Sequence, residues 1–158
     1  KHTCGLTTLG QVECTGSNDH GQLVPPVAPP AAGGYVQIAA GGAFTCALRG
    51  DGRVACWGDN TGGWAPPLVT AKVGRFTRIA AGSSHACALR TDGRIECWGD
   101  NRLGAAPNIQ VALVGGYAEL AAGVADVCAR RTDGVVECWG SLTFLNAQFD
   151  PRFAQGIA

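Results

Sequence analysis

Eight cysteines fall into four pairs, Cys4/Cys14, Cys46/Cys56, Cys87/Cys97 and Cys128/Cys138, the second partner standing ten positions after the first each time. Eight cysteines allow on the order of a hundred connectivities, but the local sequence selects one. Between Cys46 and Cys56 the chain reads CALRGDGRVAC. Gly50-Asp51-Gly52 suits a three-residue hairpin loop, with Gly52 supplying the left-handed residue. Arg49 then faces Arg53, Leu48 faces Val54, Ala47 faces Ala55 and Cys46 faces Cys56. Bonded and non-bonded pairs alternate along an antiparallel ladder, so the cysteines fall on a non-bonded pair, where Cα atoms lie ~4.5 Å apart and a disulfide can close. The count repeats around Thr91-Asp92-Gly93 and Thr132-Asp133-Gly134; the first hairpin keeps Gly10 but has Leu9 before it. Structural zinc sites use short Cys-x-x-Cys knuckles, and the sequence has none. Each bridge closes a short loop, for which chain entropy gives about 2.8 kcal/mol as an upper value. Four such clips imply an oxidising, extracellular or periplasmic home.

The cysteine unit recurs, its first cysteine standing at 4, 46, 87 and 128. A period of about forty residues indicates solenoids, propellers or arrays. The full unit reads YVQIAAGGAFTCALRGDGRVACWGDN from Tyr35, RFTRIAAGSSHACALRTDGRIECWGDN from Arg75 and YAELAAGVADVCARRTDGVVECWG from Tyr117; the first copy is a half unit, KHTCGLTTLGQVECTGSND. Gly and Pro, 24 and 8 of 158 residues, oppose long helices and favour short strands and turns. Leu48 and Val54 share the cysteine face by period two, while Ala47, Ala55 and Trp57 share the other. Trp57, Trp98 and Trp139 are read as core between neighbouring sheets.

The C-terminal segment from Arg152 to Ala158 resembles the strand that opens each unit, and the N-terminus starts just after where that strand would stop. Four units therefore divide the single domain 1–158 as 1–34 plus 152–158, 35–74, 75–115 and 116–151. The expected fold is an all-β propeller of about four blades, either a closed four-bladed ring or part of a larger one, with one disulfide-clipped hairpin per unit. End pairing would bury both terminal sheet edges, and removing Phe153 to Ala158 should then be destabilising. The chain has no methionine, so Lys1 is read as following a processing or excision point.

The matching text, Ala-Ala-Gly-x-x-(His/Phe)-x-Cys-Ala-Leu, then Asp-Gly, then Cys-Trp-Gly-Asp-Asn, resembles repeats of the regulator of chromosome condensation family. The cysteine-bearing form is similar to secreted bacterial relatives and to the ectodomains of plant crinkly-type receptor kinases. The resemblance implies a β-propeller and, by analogy, protein partners. The first unit departs with Thr15 in the Trp position. The fourth has Arg130 for Leu and Ser141-Leu142 for Asp-Asn.

Twelve basic residues balance twelve acidic ones, leaving no excess positive charge for a nucleic-acid backbone. Charged residues are 15% and apolar ones 46%, which argues against disorder. No apolar run reaches the ~20 residues of a membrane helix. No nucleophile has a positioned base: Ser83 and Ser84 precede His85, but adjacency in sequence makes no dyad. Asp51, Asp92 and Asp133 are turn residues. Asp59 and Asp100 are expected to bond their own backbone, calcium being the alternative. No cofactor, metal or catalytic residue is expected.

One position varies on the repeated frame: His2, Phe44, His85 and Asp126, two before each first cysteine. These are expected to ring one end of the propeller, exposed, as a ligand-binding surface, and replacing Phe44 and His85 together by Ala should leave the fold intact. A metal held by the two histidines and the aspartate is the alternative. Trp64 occupies a connector slot held elsewhere by Gln22 and Ala105, as a contact residue or a plug between blades. The favoured function is a non-catalytic extracellular binding module for a protein or glycan. The alternatives are a proteinaceous inhibitor of an extracellular enzyme, a structural repeat protein that self-associates and, against the cysteines, a guanine-nucleotide exchange factor.

Overall fold

The computed structural model describes residues 1–26, 33–67, 75–106 and 116–141. These hold eleven strands and no helix. β1 (His2–Leu6) and β2 (Val12–Gly16) form a two-stranded hairpin. Three antiparallel three-stranded sheets follow: β3 (Tyr35–Ala40), β4 (Phe44–Arg49) and β5 (Val54–Gly58); β6 (Phe76–Ala81), β7 (His85–Arg90) and β8 (Ile95–Gly99); β9 (Tyr117–Ala122), β10 (Asp126–Arg131) and β11 (Val136–Gly140). Each sheet is one blade of a β-propeller. The expected pairing of 152–158 with the first blade lies outside the described residues.

The hairpin count holds in every unit. Cys4 faces Cys14, Cys46 faces Cys56, Cys87 faces Cys97 and Cys128 faces Cys138. All four disulfides are formed, with Cα separations of 4.0 to 4.1 Å, and no described cysteine is free. At the second hairpin, Gly52 N–H donates to Arg49 O (2.9 Å), Arg49 N–H donates to Arg53 O (2.8 Å) and Gly52 has φ +79°. Asp51 accepts from Arg53 N–H (3.0 Å) and from the Arg49 guanidinium (2.7 Å). In the third blade the buried Arg90 forks between Asp92 (2.6 Å) and Glu96 (2.8 Å). In the fourth, Arg131 joins Asp133 and Glu137, and Tyr117 Oη donates to Glu137 at 2.6 Å. Burial, and then that hydrogen bond, raise the Tyr117 pKa to about 12.

The core lies between blades. The second blade presents Cys46, Leu48, Val54 and Cys56 to Ile79, Ala86, Ala88 and Trp98 of the third. The third presents Cys87, Leu89, Ile95 and Cys97 to Val127, Ala129 and Trp139 of the fourth. Leu6 and Val12 of the first pack on Ala47, Ala55 and Trp57 of the second. The tryptophans thus lie between neighbouring sheets, each against the ring that opens its own inner strand: Tyr35–Trp57, Phe76–Trp98 and Tyr117–Trp139, with centroids 6.1 to 6.5 Å apart.

Backbone bonds repeat at each seam. The hairpin-loop carbonyls of Gly10, Gly52 and Gly93 accept from the N–H of Tyr35, Phe76 and Tyr117 on the next blade, at 2.8 to 3.0 Å. The Trp57 indole donates to Gln22 O (2.8 Å) and the Trp98 indole to Trp64 O (3.2 Å). One side chain adds a further tie: Gln37 on β3 accepts from Ile79 N–H (2.9 Å) and donates to Ile79 O (3.0 Å) on β6. Ile79 is buried, so Gln37→Leu leaves two buried backbone groups unpaired. An unpaired buried polar group costs about 1–3 kcal/mol. Urea titration should show Gln37→Leu lowering stability by ~2 kcal/mol, with Val36→Ala at a more exposed site changing it by less than ~0.5 kcal/mol.

Candidate functional site

The end of the propeller opposite the hairpin loops is built from the turns that follow Ala-Ala-Gly. In each, the glycine N–H donates to the carbonyl three residues on: Gly41 to Phe44, Gly82 to His85 and Gly123 to Asp126, at 2.8 to 2.9 Å. The fourth residue's side chain then folds back over the glycine. A Cβ at Gly41 would stand 2.2 Å from Phe44 Cε1, one at Gly82 2.1 Å from His85 Cε1, and one at Gly123 2.5 Å from Asp126 Oδ1. The Ala-Ala-Gly signature therefore ends in glycine to clear a neighbouring side chain.

Successive turns are tied to one another. Gly42 N–H donates to Ser83 O and Ser83 N–H to Val124 O, both at 3.0 Å. Together with Lys1 and His2 they surround an axial cavity of about 480 Å³ whose walls are the small strand ends, such as Ala40, Ala81 and Ala122.

The structure corrects the expectation that the residue two before each first cysteine is exposed. Phe44 is 0% exposed and His85 2%; Phe44 belongs to the cluster that joins the second and third blades. Both share the cysteine face of their strands and are held between blades. His2 is half-buried, and its Nε2 meets Thr45 Oγ1 at 2.7 Å. Thr45 donates its own hydroxyl proton to Gln22 O (3.1 Å), so the His2 proton sits on Nε2 and the ring ties the first blade to the second. Asp126 is half-buried beside Gly123. Among the described residues no three His, Cys, Asp or Glu come together to hold a metal ion, so the two histidines and Asp126 are not brought together as a ligand set.

Trp64 packs against the same cluster as Phe44 and lies beside Gly99 of the third blade; it is a plug between blades two and three. Asp59 and Asp100 serve their own turns: Asp59 Oδ1 accepts from Thr61 N–H (2.8 Å) and Asp100 Oδ1 from Arg102 N–H (2.9 Å). The Arg102 guanidinium holds the Asp100 carboxyl down at about 2. The exposed, varying residues are instead Gly42, Ser83 and Val124, one slot along from the glycine, with Leu103 nearby on the connector. Val124 is 77% exposed and Leu103 58%.

The family model described as "Regulator of chromosome condensation (RCC1) repeat" matches residues 35–63 and 76–105. The second and third units are regulator of chromosome condensation repeats. Solved structures with the same blade arrangement include the crinkly ectodomain of the Arabidopsis thaliana receptor kinase ACR4 (25% identity, TM-score 0.63, 89% of this chain on 46% of that one). The ectodomain of the Physcomitrella patens receptor kinase CR4 matches at 26% identity and TM-score 0.70, with 90% of this chain on 40% of that one. Prp20p of Saccharomyces cerevisiae, described with binding to Gsp1p and histones, shares the fold at 22% identity and TM-score 0.74, with 88% of this chain on 42% of that one. The chain thus spans less than half the length of these structures. No curated protein matches it. The two repeats the family model matches are the second and third blades, where the Trp and Leu positions are both filled.

Burial lowers the His85 pKa, against the opposing pull of Asp126 and Asp100; burial and the N-terminal ammonium lower that of His2. The folded protein therefore binds protons at these rings less readily than the unfolded chain. Stability from this source is complete above the unfolded value of 6.5 and is lost as pH falls below it. Chemical denaturation between pH 7.5 and pH 5 should show this decline, and His85→Asn should flatten it. Phe44→Ala removes a fully buried ring between two blades and should lower stability by about 3–5 kcal/mol at pH 7.5, read as a shift in denaturation midpoint.

Proposed function

We propose that this repeat protein is a non-catalytic, secreted binding module that seats a protein partner on the axial end formed by its turns. The four disulfides suit an extracellular place, and two of the similar structures are receptor-kinase ectodomains. The observation that carries the reading is the contrast between the two ends. At the hairpin end, Arg49, Arg90 and Arg131 are each paired with the aspartate of their own loop. Such repeated, self-satisfied pairs leave little for a partner to use. At the turn end, Gly42, Ser83 and Val124 differ from blade to blade and face solvent. Exposed apolar groups beside polar ones on a rigid frame are the composition of a protein-binding patch.

Photo-crosslinking tests this. A benzoylphenylalanine at position 124 should capture a protein from the extracellular fluid of the source organism, and the same probe at Thr132, on a hairpin loop, should not. Equal capture at both positions, or capture at Thr132 alone, overturns the reading.

A further inference from the structure

The seam between the third and fourth blades opens at the turn end into a second cavity, of about 190 Å³. Its wall includes Ser83, His85, Asp100, Leu103, Ala105 and Val124. His85 is 2% exposed, its Nδ1–Cε1 edge lies against Gly82, and its Nε2 has no hydrogen-bond partner. Burying a polar atom without a partner is costly, so nearly all such atoms in folded proteins are matched. His85 lines the cavity, so a ligand that enters the seam can restore the bond that its ring nitrogen lacks.

Three further features narrow the ligand. Asp100 is in the wall, and Asp126 is near enough to act electrostatically on the His85 ring. No Lys or Arg is among the described residues of the wall. Arg102, which pairs with Asp100, is 85% exposed and can be displaced into water. At the mouth stand the exposed Leu103 and Val124. In the preceding seam Trp64 stands in the connector slot that Ala105 holds here.

We propose that this seam seats a basic side chain, arginine or lysine, of the protein partner. Its aliphatic stem lies between Leu103 and Val124, and its N–H groups reach the Asp100 carboxylate and His85 Nε2, which acts as an acceptor. An acidic side chain would meet the Asp100 carboxylate, and an apolar one would leave Nε2 unmatched. The assignment names the partner's chemistry at the axial end and rests on the binding-module reading above.

The test is an NMR titration of the intact, isotopically labelled chain with N-acetyl-L-argininamide and N-acetyl-L-lysinamide, with N-acetyl-L-leucinamide and N-acetyl-L-glutamic acid amide as comparisons. The basic probes should shift the His85 Cε1–Hε1 resonance saturably, with Kd on the order of millimolar, as expected of a single side chain. Asp100→Asn should weaken that Kd about 5-fold or more, equivalent to ~1 kcal/mol. Ala105→Trp, placing in this seam the residue the neighbouring one carries, should abolish the shift while the remaining spectrum stays dispersed. No saturable shift, or equal shifts from the leucine or glutamate probe, overturns the proposal, as does full binding in Asp100→Asn. Crosslinking at position 124 without a response to the basic probes would sink this assignment and leave the binding-module reading standing. Saturation by arginine without any crosslinked partner would do the reverse.

Discussion

The stacking of one blade's disulfide face on the next blade's tryptophan face is the contact on which the molecule depends. A sheet of two or three strands cannot enclose a core, and its two faces must be covered by something else. Here the covering is another copy of the same unit. Ala47, Ala86, Ala88 and Ala129 are at most 1% exposed. Their small side chains let the sheets approach, while the Trp at the edge of the same face fills the wider part of the wedge. The disulfide stiffens the opposite face at a non-bonded pair, where two side chains already point into the seam. Because each seam uses the same main-chain group, the hairpin-loop carbonyl, the contact tolerates side-chain change without losing that bond.

Much of this was readable from residue order alone. The glycine-ended loops set the hairpin register, the register set the four disulfides, and the forty-residue period set the number of blades described. The salt-bridge forks were harder to see. Arg90 and Glu96 are six positions apart in sequence, and only the loop brings them across the ladder, where both are buried. The error at Phe44 and His85 is more instructive. Position 44 has the same parity as Cys46 and Leu48, so the alternation that put those two on the inner face puts Phe44 there too. The expectation of an exposed ring at one end of the propeller ran against that period. The signal for the exposed slot was also present: Gly42, Ser83 and Val124 vary as freely as the residues two places later, and they follow a glycine that a side chain must clear.

The family resemblance and the physical reading carry different weight. Repeats of this type fix how blades stack, and the similar structures, under half matched by this chain, include receptor ectodomains and a protein that binds Gsp1p and histones. A fold shared by proteins in such different surroundings does not choose a partner. The choice has to come from residues outside the stacking code, namely the turns at the axial end and the connector slots.

The connector slot shows how such a code leaves room for function. Gln22, Trp64 and Ala105 occupy equivalent positions, with a side-chain atom of each 3.1 to 3.2 Å from where a Cβ would stand on Gly58, Gly99 and Gly140 of the next blade. At the first two the backbone oxygen, not the side chain, bonds the indole, to Trp57 at Gln22 and to Trp98 at Trp64. The side chain is therefore free to differ, and its volume sets how far each seam is filled. Trp64 closes the seam between blades two and three over the buried Phe44, an apolar ring that needs no further partner. Ala105 leaves the next seam open above His85, whose ring nitrogen does need one. The pairing of the largest connector residue with the phenylalanine, and of a small one with the histidine, makes the two seams chemically distinct although their backbones repeat.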